Sequence, residues 1–263
     1  MPHIAILTRP AGRNESLAHG LATAGWQTLA LPALELRPLP IAAVDLPRPE
    51  DYDLVIFVSG HAARVYLNQL RDLAGATQWP VGVPAATVGP ASARTLREAS
   101  DFCANTTVLC PPPDAPTHDS EALWRVLCDR SDQFERVLIV RGTQGRDWLA
   151  DQLTACGAQV RRHAAYERQP ADWPAAALQQ LHQWAHQGAK ATWLLTSGEG
   201  MTAAETHVRQ AGLDDWWRTC DFIVTHPALA KRLRQGTGGK PFGAVVKTCL
   251  PTDDAIIAAF VAA

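Results

Sequence analysis

The stretch Leu138 to Val160, LIVRGTQGRDWLADQLTACGAQV, decides how this chain is read. An apolar run leads into an Arg-Gly turn, then apolar residues recur at helical spacing until Gly157, and a second extended run follows. This is a strand, a helix and a strand. The turn brings Arg141 and Arg146 to a helix N-terminus, whose unpaired N–H groups favour an anion.

Shifted by 132 places, the sequence matches itself around this stretch. Arg9 falls on Arg141, Leu17 on Leu149, Ala18 on Ala150, Leu21 on Leu153, Gly25 on Gly157, Gln27 on Gln159, Ala33 on Ala165, Glu35 on Glu167 and Pro38 on Pro170. At slightly larger shifts FVSG (Phe57–Gly60) pairs with LTSG (Leu195–Gly198), and GPASARTLR (Gly89–Arg97) with HPALAKRLR (His226–Arg234). An ordered series at nearly one offset predicts two related halves of five strands each.

Strands are expected at Ile4–Thr8, Gln27–Leu31, Leu54–Ser59, Ala86–Gly89, Thr107–Leu109, Val137–Val140, Gln159–His163, Thr192–Ser197, Phe222–Thr225 and Ala244–Thr248. Helices are expected between them at Arg13–Ala24, Ala62–Leu73, Ala91–Ala99, Ser120–Arg130, Arg146–Cys156, Pro174–Gln187, Met201–Ala211, Ala228–Arg234 and Asp253–Val261. Strands separated by helices imply parallel βαβ units, because a parallel pairing needs a crossover. LPALELRPLP and HAAYERQPAD each follow a complete strand–helix–strand unit and end at proline, so they are expected to be linkers crossing between lobes. Two such crossings limit lobe motion to hinge opening about a cleft.

The 263 residues suit one large α/β domain or two ordinary ones. A net charge of −2 provides no basic field for non-specific nucleic-acid binding. The Trp-rich segments DWP, HQW and DDWWR lack the basic neighbours of a base-stacking surface, and they are expected to cover lobe surfaces or an interface. The six cysteines (Cys103, Cys110, Cys128, Cys156, Cys220, Cys249) are dispersed without metal spacing and read as reduced, mostly buried residues. The N-terminus lacks a signal-peptide pattern and no apolar run reaches membrane-span length, so a cytoplasmic protein is expected.

No GxxxxGK[ST] occurs, and GTGGK (Gly236–Lys240) lies between a helix and a strand, the wrong order for a phosphate loop. What recurs is a small polar turn after a strand: TRPAGR (Thr8–Arg13), SGHAA (Ser59–Ala63), GPAS (Gly89–Ser92), RGTQGR (Arg141–Arg146), SGEGM (Ser197–Met201) and THPA (Thr225–Ala228). Ligands of doubly wound sheets bind outside such strand ends. Several turns carrying Arg9, Arg13, Arg141 and Arg146 suit a large ligand with many carboxylates; the plainer reading is ordinary caps and solvated arginines. PPPDAPTHDSEALWRVL (Pro111–Leu127) reads as a stiff loop ending in an N-cap at Asp119 or Ser120. His61 and His226 fall at strand-end turns, where an imidazole can titrate or merely lie exposed. Tyr166, one of three tyrosines, lies in the second linker and either donates a proton to a leaving hydroxyl or packs at the hinge. Glu35 and Glu167 occupy equivalent linker positions and read as surface pairs.

Together ILTRPAGR (Ile6–Arg13), YDLVIFVSGHAA (Tyr52–Ala63), VGPASARTL (Val88–Leu96), DSEALW (Asp119–Trp124), the run from Val137 to Arg168 and WLLTSGEGM (Trp193–Met201) resemble the bacterial uroporphyrinogen-III synthase family over nearly the whole chain. The resemblance implies two doubly wound, flavodoxin-like lobes, each a five-stranded parallel sheet, joined by a two-stranded linker. The first βαβ unit is exchanged between the repeat halves: residues 1–35 join 170–263, and 38–166 form the other lobe, with linkers at about 33–38 and 164–170. It implies cofactor-independent cyclisation of hydroxymethylbilane to uroporphyrinogen III with D-ring inversion and loss of water, in tetrapyrrole biosynthesis. Tyr166 matches the family's cleft tyrosine and is the catalytic candidate. Arg9, Arg13, Ser59, Gly60, His61, Ser92, Arg141, Gly142, Arg146, Ser197, Gly198, Thr225 and His226 are the substrate-binding candidates. Ser92 stands where the family usually has threonine, and His226–Pro227 replaces Gly-Pro. The partners implied are a small linear tetrapyrrole and, transiently, the preceding pathway enzyme; no metal, nucleic acid or membrane is implied, and a monomer is expected. Two other readings stand beside this one: a two-lobed small-anion binding or sensing protein without catalysis, and a nucleotide-dependent transferase.

Overall fold

A computed structural model describes residues 3–76, 78–102, 106–235 and 245–262. The chain divides into two compact units, Met1–Leu36 with Gln169–Ala263, and Arg37–Arg168.

In the first unit, β1 (His3–Leu7) is an interior strand of a five-stranded parallel sheet. One neighbour is β2 (Trp26–Ala30), reached through helix α1 (Glu15–Thr23). The other is β9 (Ala191–Leu195), followed by β10 (Asp221–Val224) and β11 (Val246–Thr248). Every residue of β9 is buried, as expected of a central parallel strand covered on both faces. Successive side chains alternate between two cores. Ile4, Ile6, Trp193 and Phe222 pack with Leu181 of α6 (Ala175–His186) and with Met201 and Val208 of α7 (Gly198–Gln210). Ala5, Leu7 and Leu194 pack with Leu17 and Leu21 of α1 and with Ile256 and Phe260 of α10 (Asp253–Val261). The two covering helices approach closely: a Cβ on Gly20 would lie 2.6 Å from Ile257 Cδ1.

The second unit is built from β4 (Leu54–Phe57), β5 (Ala85–Thr87), β6 (Val108–Leu109), β7 (Arg136–Gly142) and β8 (Gln159–Pro170). They are paired in the order β8-β7-β4-β5-β6, and β3 (Leu34–Pro38) adds a sixth strand beside β8. Helices α2 (Gly60–Ala74), α3 (Pro90–Arg97), α4 (Ser120–Leu127) and α5 (Trp148–Ala155) complete the crossovers. Leu54, Ile56, Val137 and Ile139 form a core with Leu123, Leu127, Leu149 and Leu153.

Numbered within each unit from β1 and from β7, the five strands of each sheet have the doubly wound 2-1-3-4-5 order of flavodoxin. The unit β1-α1-β2 sits with the C-terminal strands, and its repeat counterpart β7-α5-β8 sits with β4, β5 and β6, so the exchange of first units is realised. Gly25 and Gly157, matched by the 132-residue shift, both take positive φ (84° and 95°) after their helices. Only glycine adopts that left-handed conformation at little cost.

The extended segments expected as linkers are also strands: β8 runs unbroken through Pro170, and β3 joins its sheet, because the extended backbone before each proline finds a hydrogen-bonding partner. In the first unit Ala171 N–H donates to Ala33 O (3.1 Å), and in the second Leu39 N–H donates to Ala165 O (2.9 Å). The structure corrects other expectations. The tryptophans expected on surfaces are core. Trp173, Trp184, Trp216 and Trp217 are at most 8% exposed, because α6 and the short α8 (Asp214–Thr219), which the sequence reading left out, press them around Trp193. Of the described cysteines only Cys220 is buried, while Cys156 ends α5 in solvent. Helices α2 and α7 begin at Gly60 and Gly198, earlier than expected, since Ser59 and Ser197 cap them. Cys103, the loop Gly236–Lys240 and Ala244 of the last expected strand lie outside the described residues. Among the described residues, no helix is long and apolar enough to cross a membrane.

Candidate active site

In each unit the crossovers reverse direction at the sheet centre, between β1 and β9 in the first and between β7 and β4 in the second. Such switch points, at the carboxyl ends of the strands, are where doubly wound folds take ligands. The candidate residues divide between these two places and the next turn outward in each unit. Arg9, Arg13, Ser197, Gly198, Thr225 and His226 belong to the first unit, and Ser59, Gly60, His61, Ser92, Arg141, Gly142, Arg146 and Tyr166 to the second.

In the second unit Tyr166, 3% exposed, is placed by an irregularity in the pairing of β7 with β8. The register shifts between Arg141 and Gly142, so Gly142 faces Tyr166, and Thr143 N–H donates to Tyr166 O at 2.9 Å. The Tyr166 hydroxyl lies 3.4 Å from the hydroxyl of Ser59, which as the α2 cap accepts from Ala62 N–H at 3.1 Å. The His61 ring stands edge-on to the Tyr166 ring, centroids 4.6 Å apart and planes at 86°. Burial, then the charges of Arg64 and Arg168, lower the His61 pKa, which keeps the imidazole neutral at pH 7. Its Nε2 is buried without a partner among the described residues. Ser92 lies in the first turn of α3, its N–H donating to Gly89 O at 3.1 Å.

In the first unit Thr8 Oγ1 donates to Leu194 O at 2.5 Å, tying the turn after β1 to the adjacent β9. Asn14 Nδ2 closes that turn by donating to Arg9 O at 2.7 Å. Ser197 Oγ accepts from Gly200 N–H at 3.0 Å at the start of α7. Thr225 Oγ1 donates to Thr196 O at 3.3 Å. At the outer turn His226 takes the capping role itself: Nδ1 accepts from Ala228 N–H (3.1 Å) at the start of α9 (Pro227–Gln235). That leaves its proton on Nε2 in the neutral ring.

Three of the four candidate arginines are already engaged with carboxylates. Arg9 pairs with Asp253 at 2.6 Å, Arg141 with Asp147, and Arg146 holds both oxygens of Glu121 at 2.6 and 2.7 Å. The Arg146 contact lowers the Glu121 pKa. Arg13 is exposed and forms no ion pair among the described residues. The sequence reading missed these acidic partners. One signal existed for Asp147: the repeat shift puts Glu15 in the same place, an acidic residue in both copies. Also missed was Arg232, which ties α9 to α7 by donating to Gly198 O (3.2 Å), to Thr202 Oγ1 (3.0 Å) and to Glu205 (2.5 Å). What these turns offer chemically is helix N-termini with unpaired N–H groups, hydroxyls, internally paired guanidinium groups and one buried phenol.

Two flavodoxin-like units with exchanged first βαβ segments define the class: a two-unit, doubly wound α/β protein with polar turns at both switch points. The chain belongs to the uroporphyrinogen-III synthase family, whose model, described as uroporphyrinogen-III synthase HemD, matches residues 15–238. The uroporphyrinogen-III synthase of Salmonella typhimurium is 29% identical over 234 residues, covering 88% of this chain and 90% of that protein. The enzyme of the same name from Escherichia coli K12 is 28% identical over the same shares. Among solved structures, uroporphyrinogen-III synthetase from Helicobacter pylori superposes with a TM-score of 0.59 at 14% identity, covering 100% of this chain and 99% of that one. A mutant uroporphyrinogen III synthase from Thermus thermophilus gives 0.52 at 16% identity, covering 98% and 97%. These structures share the fold.

Proposed function

We propose that this chain cyclises hydroxymethylbilane to uroporphyrinogen III, expelling the terminal hydroxyl as water and inverting the D ring through a spiro intermediate, with no cofactor. The observation that carries the reading is the family match across residues 15–238. A sensing protein without chemistry is the reading that this match disfavours.

In this proposal Tyr166 donates its phenolic proton to the departing hydroxyl, which leaves as water. The electron pair of the pyrrole nitrogen drives the departure and leaves an azafulvene-like cation. The substituted α-carbon of the D ring closes on that cation to give the spiro intermediate, and its original bond to the methylene bridge then breaks to regenerate an azafulvene-like cation. Closure through the ring's other, free α-carbon releases that carbon's hydrogen as a proton, which returns to the Tyr166 phenolate, so water is the only net loss. Positioning supplies the rest of the catalysis, because two ends of one flexible chain must meet in one geometry. The acetate and propionate groups of the substrate are taken by the helix N-termini after Ser59, Gly89, Ser197 and His226, with Gly60, Ser92, Gly198 and Thr225 beside them, while His61 and Gly142 lie against the Tyr166 ring. Arg9, Arg13, Arg141 and Arg146 add positive charge, and Arg13 is the one that needs to give up no internal carboxylate. The enzyme works as a cytoplasmic monomer on a small-molecule substrate and meets the enzyme that makes hydroxymethylbilane only transiently.

The deciding experiment supplies freshly made hydroxymethylbilane and separates the product isomers. The type III isomer is expected. Formation of the spontaneous type I isomer alone, by folded protein, overturns the proposal.

A further inference from the structure

The ring of Tyr166 meets two residues of its own unit. The first is Gly142: a Cβ there would lie 3.0 Å from both Cε2 and Cζ of Tyr166. Carbon atoms in contact sit about 3.5–4.0 Å apart, so any side chain at position 142 must push the phenol away. A glycine inside a buried strand costs roughly 0.5–1 kcal/mol relative to alanine, and close approach of a neighbour is the usual reason for keeping one. The register shift between Arg141 and Gly142 is what turns Tyr166 onto this bare stretch of backbone. The second neighbour is the edge-on His61 ring, its centroid 4.6 Å from that of Tyr166. His61 leaves a buried ring nitrogen unpaired in order to sit there, a cost that its contact with Tyr166 helps to offset.

We infer that Gly142 and His61 are positioning residues for the Tyr166 phenol, fixing where its hydroxyl lies beside Ser59 rather than binding substrate themselves. This deepens the proton-donor reading of Tyr166 and rests on it. The His61 contact is one of ring shape, so a phenylalanine can replace the imidazole. Gly142 acts by having no side chain, so nothing can replace it.

The test measures kcat and KM for type III formation in Gly142→Ala, His61→Ala and His61→Phe, each alone and combined with Tyr166→Phe. Displacing the phenol by a few tenths of an ångström is expected to lower kcat about 10-fold in Gly142→Ala and in His61→Ala. KM should stay within about 2-fold of wild type, and His61→Phe should keep most of the activity. On top of Tyr166→Phe both alanine variants should be silent, since the hydroxyl they misplace is gone. Additive losses in that background, or a raised KM at unchanged kcat, overturn the inference while leaving the proton donor in place. Wild-type kcat in Tyr166→Phe alone overturns the proton donor and the positioning role together. Circular dichroism checks each fold, and if Gly142→Ala does not fold, the two His61 variants decide.

Discussion

Arg9 and Asp253, 244 positions apart in sequence, close on each other at 2.6 Å, joining the turn after β1 to the first turn of α10. The arginine side chain is 14% exposed and the aspartate 36%. Asp253→Asn is expected to cost about 1 kcal/mol, the upper end for a pair open to solvent. In the proposed enzyme it should also lower KM, because the guanidinium loses a competing carboxylate, whereas Arg9→Gln should raise it. Thermal unfolding and steady-state kinetics check both, and a raised KM in Asp253→Asn would remove Arg9 from the substrate-binding set.

Ser59 and Ser197 cap equivalent helices in the two units, accepting from Ala62 and Gly200 at 3.1 and 3.0 Å. Either serine changed to alanine should lose about 1 kcal/mol of stability. Denaturant titration with unchanged slope is the expected pattern.

Tyr166→Phe removes a single oxygen, one placed 3.4 Å from Ser59 Oγ. A weak hydrogen bond is lost, so unfolding should shift by at most about 1 kcal/mol. Turnover, in contrast, should fall by 10²-fold or more if the phenol is the proton donor, as is typical for a general acid. Rapid-quench measurement of type III formation separates the two effects.

His163 lies buried between Gln69, whose Oε1 is 2.8 Å from Nε2, and the ring of Tyr66. Gln69 Nε2 donates to Leu39 O, so its oxygen must accept and His163 Nε2 must carry the proton. Burial, with Arg161 assisting, lowers the His163 pKa from 6.5 to about 4. The unfolded chain therefore binds a proton more readily than the folded one. Stability is complete above about pH 6.5 and declines as pH falls toward 4. His163→Asn, which keeps a donor for Gln69, should flatten this acid limb in unfolding measured against pH. Some slope should remain, because His61 and His207 are shifted in the same direction.

Trp193 is fully buried and ringed by Trp173, Trp216 and Trp217, with centroids 4.5 to 6.3 Å away. Trp193→Ala should cost about 3–5 kcal/mol, because the surrounding rings cannot collapse into so large a cavity. Loss of cooperative unfolding of the first unit, followed by tryptophan fluorescence, is the expected result.

Much of this was legible in the residues. Among the described residues, apolar periodicity located ten of the eleven strands and nine of the ten α-helices, because spacing along the chain is a local property that survives without knowledge of neighbours. The 132-residue repeat, the matched glycines after α1 and α5, and the polar turns at strand ends were readable for the same reason. The strand β3 was read as linker because a Pro-ended extended segment looks the same with or without a partner, and hydrogen bonding to β8 is not written in either segment alone.

The chemistry of the turns was decided elsewhere. That Arg9 is neutralised by Asp253, that the Trp-rich segments go inward around Trp193, and that Gly142 and His61 meet Tyr166 all depend on which strands become neighbours and on one register shift. Local pattern puts a residue on a helix or strand and chooses its face. Only the order of strands in the folded sheets selects its partner, because those contacts join segments far apart in sequence, and burial then determines the partner's effect on charge and proton affinity.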